Sequence, residues 1–264
     1  MNLFLSASLT LFKREVVRFV RQKNRIIGAL GTPLLFWILI GSGLGKSFQD
    51  TSQTVEMMSA SNYLNYFFPG TIFLILLFTS IFSTISIIED RKEGFLQSVL
   101  VSPAPRGAII MGKVLGGTAL ATGQGILFLF LAPIIGIKPG FLDILYSIAM
   151  MLLVSFSLTA LGFIIAWKMD STQGFHAIMN LFLMPLWFLS GAMFPAEGAP
   201  GWLKIVMKLN PLSYSLTGLR KALGNGIEMG SLNFPTPIFS LQVTLVFSIV
   251  VYGISLWVTH QKDS

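Results

Sequence analysis

Residues 87–113 read IIEDRKEGFLQSVLVSPAPRGAIIMGK. Glu89, Asp90, Arg91, Lys92, Glu93, Arg106 and Lys113 crowd into this stretch, between apolar runs at 67–88 and 114–137 that carry no charge. A helix needs roughly 20 apolar residues to cross a hydrocarbon core of ~30 Å, and its backbone groups must find partners within the segment. The two runs therefore read as membrane spans and the charged stretch as the aqueous connection between them. Working outward, uncharged runs of similar length occur at 26–45, 144–167, 177–194 and 238–259. The expected fold is an all-α integral membrane protein with six transmembrane helices.

Composition agrees: 53% of the 264 residues are hydrophobic and 11% charged, with a mean hydropathy of +0.75, outside the range of ordinary soluble domains. The net charge of +7 lies beside the spans, where the positive-inside rule accounts for it without nucleic acid. Of the Lys and Arg residues, twelve fall on the side of the termini and six on the other, which puts both termini in the cytoplasm. The chain lacks cysteine, so disulfides and thiolate metal sites are excluded. One membrane domain, 1–264, is expected: an interfacial helix at 1–25, spans one to five within 26–194, two short external helices within 195–237, and the sixth span with a tail at 238–264.

In the first segment Arg14, Arg18, Arg21 and Arg25 recur at helical spacing, with Phe12, Val16, Phe19 and Val20 on another side. The pattern predicts a helix along the cytoplasmic interface, arginines among lipid phosphates and apolar residues in the acyl boundary. Before the last span, Asn210 suits an N-cap, Pro211 the first helical position, and Gly224 the stop. Leu212, Leu216, Leu219 and Leu223 form a stripe, and Arg220 and Lys221 oppose the helix dipole. Trp202, Ile205, Val206 and Leu209 mark a second short amphipathic helix. Gly112 and Gly116, like Gly41 and Gly45, have small-xxx-small spacing, which fits loose packing near a span end and a close helix contact equally well. Pro185 and Gly191 suggest a kinked fifth run.

Chemistry is mostly excluded. No phosphate-binding loop, HExxH or GxSxG is present, so the chain is not expected to be an enzyme or to bind a cofactor or metal. His176 and His260 read as interfacial residues. The spans offer Gln124, Asn180 and Gln242 but no ionisable group near the midplane, where coupled carriers place one. A transporter driven from outside itself remains, alongside an ion-coupled carrier or channel and a non-transporting assembly protein. On composition alone the connection at 87–113 fits a handle for that outside drive and a plain interfacial loop anchored by its charges equally well. Phe95, Leu96, Val99 and Leu100 give a short helix starting near Gly94 one apolar edge, and Ser102-Pro103-Ala104-Pro105 must stop it.

This block resembles the segment between spans two and three of ABC-2 type permeases, through Glu89, Gly94, Leu100, Val101, Ser102, Pro103, Gly112 and Lys113; Phe95 stands where that family usually has Thr. Asn210, Pro211, Tyr214 and Arg220 are similar to its signature before the last span. The resemblance implies the permease subunit of an ABC exporter in a prokaryotic inner membrane. Two copies, expected to be identical, would pair with two separate ATPase subunits that hold the ATP and Mg. It makes Gly94–Val101 the coupling helix, with Glu89, Ser102, Pro103 and Arg106 in the ATPase contact. The basic N-terminal helix and the connection 168–176 would add to that contact, and the external helices would form a lid over the exit path. An amphipathic substrate, a drug or a lipid-linked or polysaccharide-type molecule, would suit Met184, Trp187 and Phe188, with Met193 and Phe194, on the fifth run.

Overall fold

A computed structural model describes residues 3–47, 60–193, 199–223 and 236–261, and all their regular structure is helical. In chain order the helices are α1 (Leu3–Arg21), α2 (Lys23–Ser47), α3 (Ala60–Lys92), α4 (Phe95–Leu100), α5 (Arg106–Leu129), α6 (Phe141–Trp167), α7 (Thr172–Phe188), α8 (Gly201–Leu209), α9 (Pro211–Leu223) and α10 (Pro237–His260). A 3-10 turn, Ala132–Ile135, extends α5.

Helix α3 is the axis. Phe67, Phe68, Ile72, Phe73, Ile75 and Leu76 make it apolar on every side and are fully buried, as a helix without a polar face must be in protein or lipid. Within the chain 89% of the α3 span is buried, against 11% of the α2 span. Helices α2, α5, α6, α7 and α9 all pack on α3, leaving α2 peripheral.

Among the described residues, five helices are long and apolar enough to cross a membrane: Lys23–Ile40, Leu64–Lys92, Arg106–Ile135, Phe141–Trp167 and Pro237–His260. Two expected boundaries move. The third span starts at Arg106 rather than 114, because Lys113 is neutralised inside the protein and does not break the apolar run. The run at 177–194 is largely α7, a helix of 17 residues that starts earlier and is not one of the five. Ser171 caps it, accepting a hydrogen bond from the Gly174 N–H at 3.3 Å. Past its end the chain turns at Gly191, whose φ of 85° favours glycine.

Without a hydrophobic drive between helices in lipid, close approach and hydrogen bonds must hold the bundle. A Cβ on Gly112 would lie 2.7 Å from Leu11 Cβ and from the Ser8 carbonyl, and one on Gly116 would lie 2.8 Å from Glu15 Cβ. The pair is thus the seat of α1 on α5, a true helix contact. The other pair, Gly41 and Gly45, has side-chain surroundings outside the described residues. Deeper in, Thr79 donates to Gln124 at 2.6 Å, Ser157 and Ser248 lie 2.6 Å apart, and Ser215 and Thr244 2.8 Å apart. Gln124 is therefore a buried tie between α3 and α5, whereas Asn180 and Gln242 are exposed.

Candidate functional site

At the charged end of the bundle, α3 runs on past its apolar stretch to Lys92, and the excess turns carry Glu89 and Asp90. Asp90 is fully buried. Lys113 of α5 donates to Asp90 at 2.6 Å and to Glu15 of α1 at 2.8 Å, with only 4% of its side chain exposed. Arg14 makes a fork to both Asp90 oxygens, at 3.0 and 2.7 Å. Arg18 reaches Asp90 and, at 2.9 Å, Glu89, which also pairs with Arg25. Buried charges persist only when paired and hydrogen-bonded, and here each does. Burial opposes the charge on Arg14, but its bond and attraction to Asp90 outweigh that and raise its pKa above the ordinary value.

The placement corrects the sequence reading at several points. Arg14 and Arg18 turn to carboxylates of α3 rather than to lipid phosphates, because α1 is seated by Gly112 and Gly116 close enough for them to reach, and Arg25, at the start of α2, pairs with Glu89 of α3. Arg21 is exposed. Glu89 pairs with Arg18 of α1 and Arg25 of α2, and the hub is its neighbour Asp90. Glu15 and Ser86, 3.4 Å from the Lys113 ammonium, were missed. The available signal was that Glu15 is the sole acid in residues 1–25 and shares a helix face with Ser8, Leu11 and Phe19.

Helix α4 hangs from this hub. Gly94 at φ 76° turns the chain out of α3, and Ser102 donates to the Val99 carbonyl at 2.6 Å as the prolines end the helix. Its apolar edge is divided between two environments. Leu96 is buried in the main core, and Leu100 packs against that core. Phe95 lies under the Arg14 guanidinium, 3.7 Å from ring centroid to Cζ, and with Val99 lines a groove against α1. Gln97 and Ser98 are exposed, Pro103 likewise, and Val101 is 86% exposed. Arg106 donates to the Thr259 carbonyl at 2.8 Å, closing the end of α10. Arg91 donates to the carbonyls of Trp167 and Met169 and to Asp170, tying down the connection to α7.

The opposite end explains the second motif. The last carbonyls of α7 and its turn have no helical partner, and α9 supplies them: Asn210 Nδ2 donates to Leu186 at 2.7 Å, Ser213 to Leu189 at 3.3 Å, and Arg220 to Gly191 at 3.0 Å. Asn210 also caps α9, accepting from the Leu212 N–H at 3.0 Å. Pro211 opens α9. Arg220 does not remain at the surface to oppose the dipole; it is buried with its Cζ 4.1 Å from the Tyr66 ring. Tyr214 donates to the Lys208 carbonyl at 2.9 Å, fastening α8. Among the expected path residues, Trp187 is fully buried and donates to the Gly70 carbonyl at 3.1 Å, so it is core. Met184 and Met193 are half-buried and Phe188 is exposed; Phe194 lies outside the described residues.

No group of three or more metal-ligating residues forms among the described residues. The charged end is suited to mechanics: an ionic hub beside a short protruding helix that packs on α3 and borders α1. Comparison with known proteins points the same way. The ABC-2 type transporter family matches residues 7–223. The chain is 27% identical over 219 residues to a transport permease of Cyanophora paradoxa designated ycf38, covering 82% of this chain and 74% of the other. Against the daunorubicin resistance ABC transporter permease protein DrrB1 of Streptomyces coeruleorubidus it is 25% identical over 230 residues, 83% and 75% of the two chains. Nodulation protein J of Rhizobium meliloti (strain 1021) is 25% identical over 215 residues, 78% and 79%.

Proposed function

Since this chain belongs to the ABC-2 type transporter family, whose members are multi-pass membrane subunits rather than enzymes, we propose that it is the permease of an exporter powered by a separate ATPase. The observation that carries the proposal is α4. A six-residue helix stands outside all five spanning segments. It is anchored by Leu96 to the core and bordered by a buried ionic hub, with Gln97, Ser98 and Val101 left outward. A push on such a helix passes to α3 and α5 with little slack. ATP and Mg would bind on the ATPase, and this chain would carry no cofactor.

The finer reading has α7 as a sixth span, both termini in the cytoplasm, location in a prokaryotic inner membrane, and two identical copies with two ATPase subunits around a shared path. An amphipathic or hydrophobic cargo is supported by the drug-resistance relative and by Met184 and Phe188 on α7. Helices α8 and α9 would cap the exit.

The test is reconstitution in liposomes with the ATPase of an adjoining reading frame. We expect ATP-dependent movement of an amphipathic drug such as an anthracycline, and we expect Val101→Asp to lower ATPase association at least tenfold while the permease still inserts. Gradient-driven flux without any ATPase would overturn the reading in favour of a carrier or channel.

A further inference from the structure

At the α7–α9 end one cation is buried without an acid. Arg220 is 7% exposed, and among the described residues no carboxylate pairs with it. Of the acids described away from the hub, Asp143 serves the Gly140 N–H at 3.0 Å and Asp170 serves Arg91. Arg220 Nη2 donates to the Gly191 carbonyl at 3.0 Å, and the Tyr66 ring lies against the guanidinium. The buried Nε has no hydrogen-bond partner. Nε and Nη2 share the edge that grips a carboxylate or phosphate through two parallel bonds. Here that fork holds one neutral carbonyl and leaves Nε idle.

The carbonyl can spare Arg220. The Tyr66 hydroxyl donates to the same Gly191 oxygen at 2.9 Å, so that oxygen stays bonded when the guanidinium leaves. A bond from a guanidinium to an oxyanion is roughly twice as strong as one between neutral groups, and the low dielectric of a buried site strengthens it further. A buried guanidinium without a countercharge also selects an anion over any neutral ligand. We propose that Arg220 is an anion site: it exchanges the Gly191 carbonyl for a phosphate-type oxyanion, the headgroup of an amphipath or a free anion, and so loosens the turn that ends α7. That the loosened turn opens the exit rests on the exporter reading above; the anion site itself does not.

The experiment titrates the full-length chain, in a neutral maltoside detergent, with dodecyl phosphate, inorganic phosphate and dodecyltrimethylammonium, and follows binding by calorimetry and amide exchange. Wild type is expected to bind dodecyl phosphate but not the ammonium, with faster exchange at residues 189–192 when bound. Arg220→Gln should weaken binding about tenfold or more, and Arg220→Lys, which keeps the charge without the fork, should fall between. Ser213→Ala removes a different bond from α9 to the same turn; it should bind as wild type even where thermal stability drops. Inorganic phosphate binding as tightly as dodecyl phosphate identifies a free anion as the ligand, and dodecyl phosphate alone identifies an amphipath's headgroup; both support the site. No binding by wild type, equal losses in Arg220→Gln and Ser213→Ala, or binding without faster exchange overturns the proposal. None of these results touches the exporter reading, which falls with the liposome experiment and leaves the anion site standing.

Discussion

At the residue scale the decisive group is Lys113, an ammonium held between Asp90 and Glu15 where almost no water reaches. Removing one member of a buried ionic cluster leaves the others uncompensated, at a cost of about 3–5 kcal/mol. We expect Lys113→Met to lower thermal stability in detergent by an amount of that order. Adding Asp90→Asn to Lys113→Met should recover part of the loss, since one uncompensated carboxylate disappears; a double variant worse than the single would show that Asp90 is held by its arginines alone. The ingredients were visible in sequence, since Asp90 and Lys113 stand 23 positions apart in the opening stretch. Their meeting with Glu15 was not, because it depends on how α1 lies across α5.

At the element scale α1 is packed into the bundle against α5. Its seat is the notch made by Gly112 and Gly116, where any side chain would meet α1 within 2.7–2.8 Å. Gly112→Val should lever α1 off α5 at a cost of ~1–3 kcal/mol or more. Faster amide exchange throughout Leu3–Arg21 with the spans unchanged would register it; uniform exchange would show that α1 has another anchor. For α4 the anchor is Leu96. Leu96→Ala should cost about 2–5 kcal/mol by loss of burial and residual cavity, and it should free α4 to proteolysis near Gln97, whereas Val99→Ala at the groove should be milder. A stripe at helical spacing locates an apolar edge but not its customer, and α4 spends that edge on its own core and on the groove.

At the scale of the whole molecule, α3 with α2, α5, α6, α7 and α9 around it forms a tied bundle with charge gathered at one end and the α7–α9 cap at the other. The absence of cysteine makes topology directly measurable. Gln97→Cys and Lys208→Cys place single thiols at exposed positions on opposite ends. In intact cells a membrane-impermeant thiol reagent should label Lys208→Cys and leave Gln97→Cys unmodified until the membrane is opened. The reverse pattern would turn the protein over and remove α4 from the side where ATP is made available.

Sequence alone determined what depends on the solvent a segment must face. Uncharged runs gave helices that can cross lipid, proline and glycine punctuation gave the limits of α4, and two short motifs in order gave the family. Tertiary structure decided what depends on partners distant in the chain: that the N-terminal arginines serve α3, that Arg220, Asn210 and Ser213 close the end of α7, and that Trp187 is core. The physical reason is the low dielectric around a membrane domain. Every charge and every free carbonyl there needs a partner at hydrogen-bond distance, and periodicity states which face a residue occupies without stating which distant group will meet it.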